Sequence, residues 1–169
     1  DSSQSRGLGD VYKRQADINI MMQKAVRDGQ KAVAITDHGN MFGVFKFWSY
    51  AKKHNIKPIL GCEVYVVDDP TRKSFSKQDR DKRYHQLLLA KNAKGYQNLC
   101  KIVSQGFTIG YYSNFPRVSI EMIEKYSEGL VATTCCLGSQ VQQTILNEGE
   151  KAGEKVFLKW LKIFGDDYY

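Results

Sequence analysis

Apolar positions in this chain follow two alternating rhythms. Between residues 16 and 164, short unbroken apolar runs of strand length alternate with longer stretches in which apolar residues return every three or four positions. Asp17 is placed to cap a helix whose apolar positions include Ile20, Met21, Met22, Ala25 and Val26 and which stops at Asp28-Gly29. Residues 31–36 form a buried strand. Residues 41–54 form a helix with Phe42, Phe45, Phe47, Trp48 and Ala51 available for burial and Lys52, Lys53 and His54 suited to its negative end. Residues 58–67 and 84–90 read as strands. Residues 92 to about 107 read as a helix with Tyr96, Leu99, Cys100, Ile102 and Val103 on its inner stripe. Ser119 opens a further helix with Glu121 and Glu124 near its positive end; a strand over 130–134, helices near 138–148 and 150–163, and a turn entering a strand at 165–169 complete the order. Strands that are apolar throughout and alternate with helices predict an α/β fold of parallel strands covered by helices.

Composition narrows the class. The chain has 169 residues, of which 42% are hydrophobic, enough for one core. No run nears the roughly 18 apolar residues that a membrane helix needs, and the polar first fifteen residues hold no signal-peptide core. Four cysteines, two of them adjacent (Cys135, Cys136), form no disulfide framework, which predicts a reduced, cytoplasmic protein without a membrane partner. The net charge is +7, and residues 71–83 concentrate it, with six cations against two aspartates. This loop is expected to be solvated and mobile. Its alternative role is contact with nucleic acid or an acidic partner through Arg72, Lys73, Arg80, Lys82 and Arg83. No aromatic ladder interleaves these charges, so a stacking platform for single strands is not expected.

Chemistry collects around the strand ends. Ile35-Thr36-Asp37-His38-Gly39-Asn40 and Gly61-Cys62-Glu63-Val64-Tyr65 place an Asp, a His and a Glu just past two apolar runs. The strand at 84 brings His85 at its start, and the strand at 130 delivers Cys135 and Cys136. Carboxylate, imidazole and thiolate together are a mixed donor set for two or three divalent metals, which would polarise a phosphate and generate hydroxide near neutral pH. Cys62 is expected to face away from Glu63, Cys100 to lie in a helix core, and His54 to be a surface residue. Gly106-Phe-Thr-Ile-Gly110 lacks the pattern of a phosphate-binding loop.

The strings ITDHGNMFG, KPILGCEVYV, YHQLLLAKNAKGYQNLCKIVS and EGLVATTCCLGSQV resemble the amino-terminal PHP (polymerase and histidinol phosphatase) domains of the bacterial DNA polymerase III alpha subunit family. The resemblance covers residues 16–169. DHG and GCE are shared across PHP phosphoesterases, whereas GYQNL and EGL…CLG look like the replicative polymerases. It implies a seven-stranded β/α barrel with metals at its mouth, and it implies metal ligation by Asp37, His38, Glu63, His85 and Cys136, with zinc or manganese as the ion. For the intact parent it implies template-directed DNA synthesis by a DNA-directed DNA polymerase. The PHP part would stabilise that enzyme, dock a proofreading exonuclease or itself proofread. DNA, the exonuclease and the sliding clamp would be met through the full-length protein. The alternative is a stand-alone PHP phosphoesterase such as a histidinol phosphatase.

Two departures are expected to matter. The family's opening His-x-His pair has no counterpart before His38, and residues 1–15, DSSQSRGLGDVYKRQ, look foreign, with GDVYKRQ resembling translated adaptor sequence. The family's last Asp-x-His pair would lie beyond Tyr169. The expectation is therefore a partial PHP domain over 16–169, a barrel missing its first and last strands, with little phosphoesterase activity alone and no polymerase catalytic residues.

Overall fold

The computed structural model describes residues 17–169; the foreign segment expected over 1–15 lies outside the described residues. Of the described residues, 17–34 and 43–58 form one compact unit, and 35–42 and 59–169 another.

In the first unit, helix α1 (Ile18–Arg27) starts where Asp17 accepts the N–H groups of Asn19 at 2.8 Å and Ile20 at 3.1 Å. Helix α2 (Val44–Lys53) starts later than the apolar pattern predicts. Met22 and Ala25 of α1, Val44, Phe47 and Ala51 of α2, and Ile56 are buried. The spacing of 44, 47 and 51 is one helical stripe. A ten-residue helix buries one such stripe, so Phe45 and Trp48 stay 78% and 42% exposed, contrary to expectation. His54 is half-buried rather than a free surface residue: its Nε2 lies 3.1 Å from Asn19 Oδ1.

The sheet has five strands: β1 (Ala32–His38), β2 (Lys57–Val66), β3 (Tyr84–Ala90), β4 (Arg117–Val118) and β5 (Leu130–Ala132). Its order is β1-β2-β3-β5, with β4 paired to β2. β3 runs antiparallel to both neighbours, pairing Glu63↔Leu87 and Tyr65↔His85 on one side and Leu88↔Ala132 on the other. Only part of the sheet is parallel, as where β4 joins β2. The expectation of parallel strands throughout fails because residues 67–83 contain no helix. Without a helix to carry the chain across a sheet face, the strand returns beside its predecessor in the opposite sense. Among the described residues the sheet is open, not a closed barrel. Tyr168 makes a parallel bridge to Ala132, so the expected turn at 165–169 does lead back into the sheet.

Period-two alternation sorts the β2–β3 ladder into two faces. Cys62, Val64, Val66 and Leu88 lie in the core with Leu99, Ile102 and Val103 of helix α3 (Ala93–Thr108). Ile123 of α4 (Ile120–Lys125), Val141 of α5 (Gln140–Glu148), and Trp160 and Phe164 of α6 (Glu150–Phe164) complete this core. Asn92 and Ser119 cap α3 and α4. Tyr96, expected on the inner stripe of α3, is exposed; Asn98 is buried instead and donates to Glu128 O at 2.9 Å. Gly61 is dictated by close approach: a Cβ there would stand 2.6 Å from Leu88 O. Among the described residues no helix is long and apolar enough to cross a membrane.

The 71–83 loop is largely solvated, as expected, and both of its ends are anchored on the fully buried Arg117. The guanidinium donates to Gly110 O at 2.9 Å, Pro70 O at 3.1 Å, Arg72 O at 2.6 Å and Asp81 Oδ1 at 2.8 Å. A buried charge that loses its partner is costly. Arg117→Met would leave three carbonyls unpaired and Asp81 with only the longer 3.7 Å pair to Arg83, and is expected to lower unfolding free energy by about 3–5 kcal/mol. Urea denaturation followed by circular dichroism measures this; an unchanged midpoint would show that the loop does not depend on the clamp.

Candidate metal centre

The second face of the ladder carries the chemistry. Glu63 lies inside β2, not past its end, and points to the face opposite Cys62. His85 is its diagonal neighbour on β3, within reach for long side chains. Because β3 is reversed, the start of β3 lies beside the end of β2, which is why a histidine at a strand's beginning meets a glutamate late in the preceding one. On the other side of Glu63, β1 ends at His38. Gly39 then turns the chain at φ +68°, a conformation that glycine adopts freely, and its N–H donates to Glu63 O at 2.8 Å. A Cβ on Gly39 would lie 2.8 Å from Pro116 and 2.9 Å from Tyr65, so the glycine of DHG serves packing as well as the turn. Asn40 locks the corner by donating to His38 O at 3.0 Å and accepting from Phe42 N–H at 3.1 Å, which delays the start of α2.

Three adjacent strands thus present His38, Glu63 and His85 in one row, and the loop after β5 adds Cys136. Glu63 Oε1 lies 3.0 Å from His38 Nδ1 and 2.8 Å from His85 Nδ1. Cys136 Sγ lies 3.5 Å from His85 Nδ1. One donor atom each from Glu63, His85 and Cys136 falls within 4.8 Å of the others. Exposure rises outward from the carboxylate, from 16% for the Glu63 side chain to 32% for His85 and 63% for His38. Despite the short distances, Glu63 Oε1 is buried and in no hydrogen bond. The ring N–H vectors do not aim at it. Close approach of these atoms without a hydrogen bond leaves their lone pairs available to a cation.

Of the five ligands expected, four gather here and Asp37 does not. Asp37 is exposed, and strand alternation turns it away from the face that His38 uses. Its charge acts instead on Cys62. Burial pushes the Cys62 thiol up to about 12, and the Asp37 and Glu63 carboxylates add to the shift. Two further residues support the group: Cys135, delivered with Cys136 by the strand at 130 as the sequence indicates, and Tyr65, to which the sequence reading gave no role. Cys135 donates toward Glu63 Oε2 at 3.8 Å, and burial pushes its thiol up to about 12, so it remains protonated as that donor. Its backbone sits at φ +58°, which separates the paths of the adjacent cysteines. Tyr65 packs edge-on against His85 at 5.6 Å and against Phe115 at 5.0 Å. Its position two residues after Glu63 is the signal that would have found it.

The five cations expected to meet nucleic acid or a partner are partly occupied. Arg72 pairs with Asp79, and Lys73 donates to Pro70 O at 3.0 Å and Ile109 O at 2.9 Å. Arg83 stacks over Phe115 at 3.6 Å. Arg80 donates to Lys77 O at 3.3 Å, and Lys82 is exposed.

This α/β sheet with a mixed oxygen, nitrogen and sulfur donor group has a family. The chain belongs to the PHP domain family, whose sequence model matches residues 12–169. It is 41% identical over 91% of its length to a protein named DNA polymerase III subunit alpha from Borreliella burgdorferi, covering 13% of that protein. Proteins of the same name from Deinococcus radiodurans and Aquifex aeolicus are 43% and 42% identical over 82% and 90% of this chain, covering 10% and 13% of their own lengths. The chain thus spans about an eighth or less of these relatives.

The thiols give a direct check of this geometry. A thiol held at a raised pKa keeps its proton, and only thiolates alkylate readily. In metal-free folded protein at pH 8, iodoacetamide should modify exposed Cys136 well before Cys62 and Cys135, which should react only as pH approaches 12 or the chain unfolds. Peptide mass spectrometry reads the order; Cys135 reacting first would contradict the placement.

Proposed function

We propose that this chain is the metal-holding PHP domain of a bacterial DNA polymerase III alpha subunit. The parent would carry out template-directed DNA synthesis in the cytoplasm and meet DNA, a proofreading exonuclease and a sliding clamp through its full length. The five-stranded sheet is read as part of the seven-stranded β/α barrel to which the family resemblance points. What supports a metal-holding role is one observation: the buried, unbonded Glu63 Oε1 with two imidazole nitrogens within 3.0 Å. Without a cation, that packing leaves a carboxylate oxygen desolvated and uncompensated, at a cost in stability.

His38, Glu63, His85 and Cys136 would hold the ion. Imidazole with thiolate favours zinc, and carboxylate with imidazole also accepts manganese. When bound, a divalent ion supplies Lewis acidity toward phosphate oxygens and acidifies its own water. The protein's share is orientation. Cys135 holds the second oxygen of Glu63, Tyr65 packs edge-on against the His85 ring while the His85 backbone N–H donates to Gly138 O at 2.9 Å and anchors the start of β3, and Asn40 fixes the His38 corner. His38, with its side chain 63% exposed, and the exposed Cys136 form the solvent-facing side of the group, the side open to a phosphoester.

The test is equilibrium dialysis against zinc or manganese followed by elemental analysis, with circular dichroism to confirm folding. The chain is expected to retain metal, and Glu63→Gln to weaken retention at least about tenfold. A folded chain that holds no ion, or a Glu63→Gln variant that holds it as well as the parent sequence, would overturn the assignment.

A further inference from the structure

Three aromatic rings from two distant parts of the sequence stand together and open to solvent. Phe42 is 80% exposed, Tyr111 47% and Phe107 36%, with Ile109 beside them at 40%. The Phe42 and Phe107 centroids are 5.8 Å apart with an interplanar angle of 35°, and those of Phe107 and Tyr111 are 5.9 Å apart at 20°. Phe42 comes from the corner after His38, and the other two from the end of α3 and the turn beyond it. Contiguous exposed apolar surface of this kind marks a binding surface more often than chance.

We propose that the Phe42–Phe107–Tyr111 stack binds single-stranded DNA by base stacking. Every nucleobase offers a π face to a ring, so such a surface is tolerant of sequence. A duplex keeps those faces covered by its own stacking, which makes the single strand the occupant.

The choice of a polyanion over an apolar protein partner rests on charge. The loop over 71–83, six cations against two aspartates, is fastened to the edge of the stack. Lys73 Nζ donates to Ile109 O at 2.9 Å, and Phe75 packs on Tyr112 at 5.2 Å. Lys77, Arg80 and Lys82 are in no ion pair among the described residues, leaving cations to follow a phosphate backbone while its bases lie on the rings. The absence of a ladder within the basic run does not exclude a stacking platform: the fold assembles one beside it from other parts of the chain. Asn40, bonded to both His38 O and Phe42 N–H, couples the first ring to the corner that carries His38. The assignment draws on the proposed function only in naming DNA as the nucleic acid; it needs no bound metal.

Fluorescence anisotropy of the full chain with a fluorescein-labelled oligothymidylate of about twenty nucleotides, in excess chelator, tests it. Loss of one stacked base costs about fivefold or more in affinity, so Phe42→Ala and Tyr111→Ala should each weaken binding by at least that factor and the double variant by more. Phe45→Ala, equally exposed but outside the stack, should bind as the parent sequence does. A duplex of equal length should bind at least about tenfold more weakly. No binding of the oligonucleotide, undiminished binding by the double variant, or equal affinity for duplex would each overturn the proposal. So would loss of self-association in the double variant without loss of DNA affinity, since the rings would then join two copies of this chain. Because chelator is present throughout, a failed metal centre would leave this result intact.

Discussion

The antiparallel ladder between β2 and β3 is the constraint on which the site depends. Six residue pairs set its register, and that register puts Glu63 and His85 on one face while Cys62, Val64 and Leu88 enter the core from the other. A slip of one residue would exchange the faces, burying a carboxylate and an imidazole among aliphatic side chains and exposing the core set. Core packing against α3 and α6 therefore protects the donor geometry. The hydrophobic face holds the register, and the register holds the site.

The same ladder explains why side chains from three strands and the loop after a fourth share one end of the sheet. β3 reverses direction, so its first residues lie beside the last residues of β2 and the loop after β5. His38, Glu63, His85 and Cys136 follow in the spatial order of the strands, β1, β2, β3 and β5. Glu63 is the pivot, with one oxygen between two imidazoles and the other facing the Cys135 thiol. The relative burial of the carboxylate and the openness of His38 give a site with a fixed floor and an accessible rim.

Much of this was legible in the sequence. Asp17, Asn92 and Ser119 mark helix starts by local hydrogen bonding, which needs no tertiary context. The DHG and GCE strings located two of the side chains that the fold brings together, His38 and Glu63, and Gly39 and Gly61 now have steric reasons for being glycine. Strand direction was not legible, because an apolar run reads the same both ways; the lack of helical period over 67–83 was the available sign. Nor does composition choose which helical stripe is buried, so Phe45, Trp48 and Tyr96 resembled core residues yet face solvent. Asp37 stands apart from the cluster because strand alternation turns neighbours to opposite faces, which a motif read as a string does not show. Arg117 was missed because the carbonyls that satisfy it come from residues 70, 72 and 110, which only the fold brings together.

The most direct test of the shared-cation arrangement is X-ray absorption spectroscopy of the zinc-loaded chain. A site built on Glu63, His38, His85 and Cys136 predicts a sulfur scatterer together with imidazole nitrogen around the ion, with the sulfur lost in Cys136→Ser and kept in Cys62→Ser. Coordination by oxygen alone, or sulfur that persists when Cys136 is replaced, would contradict the account.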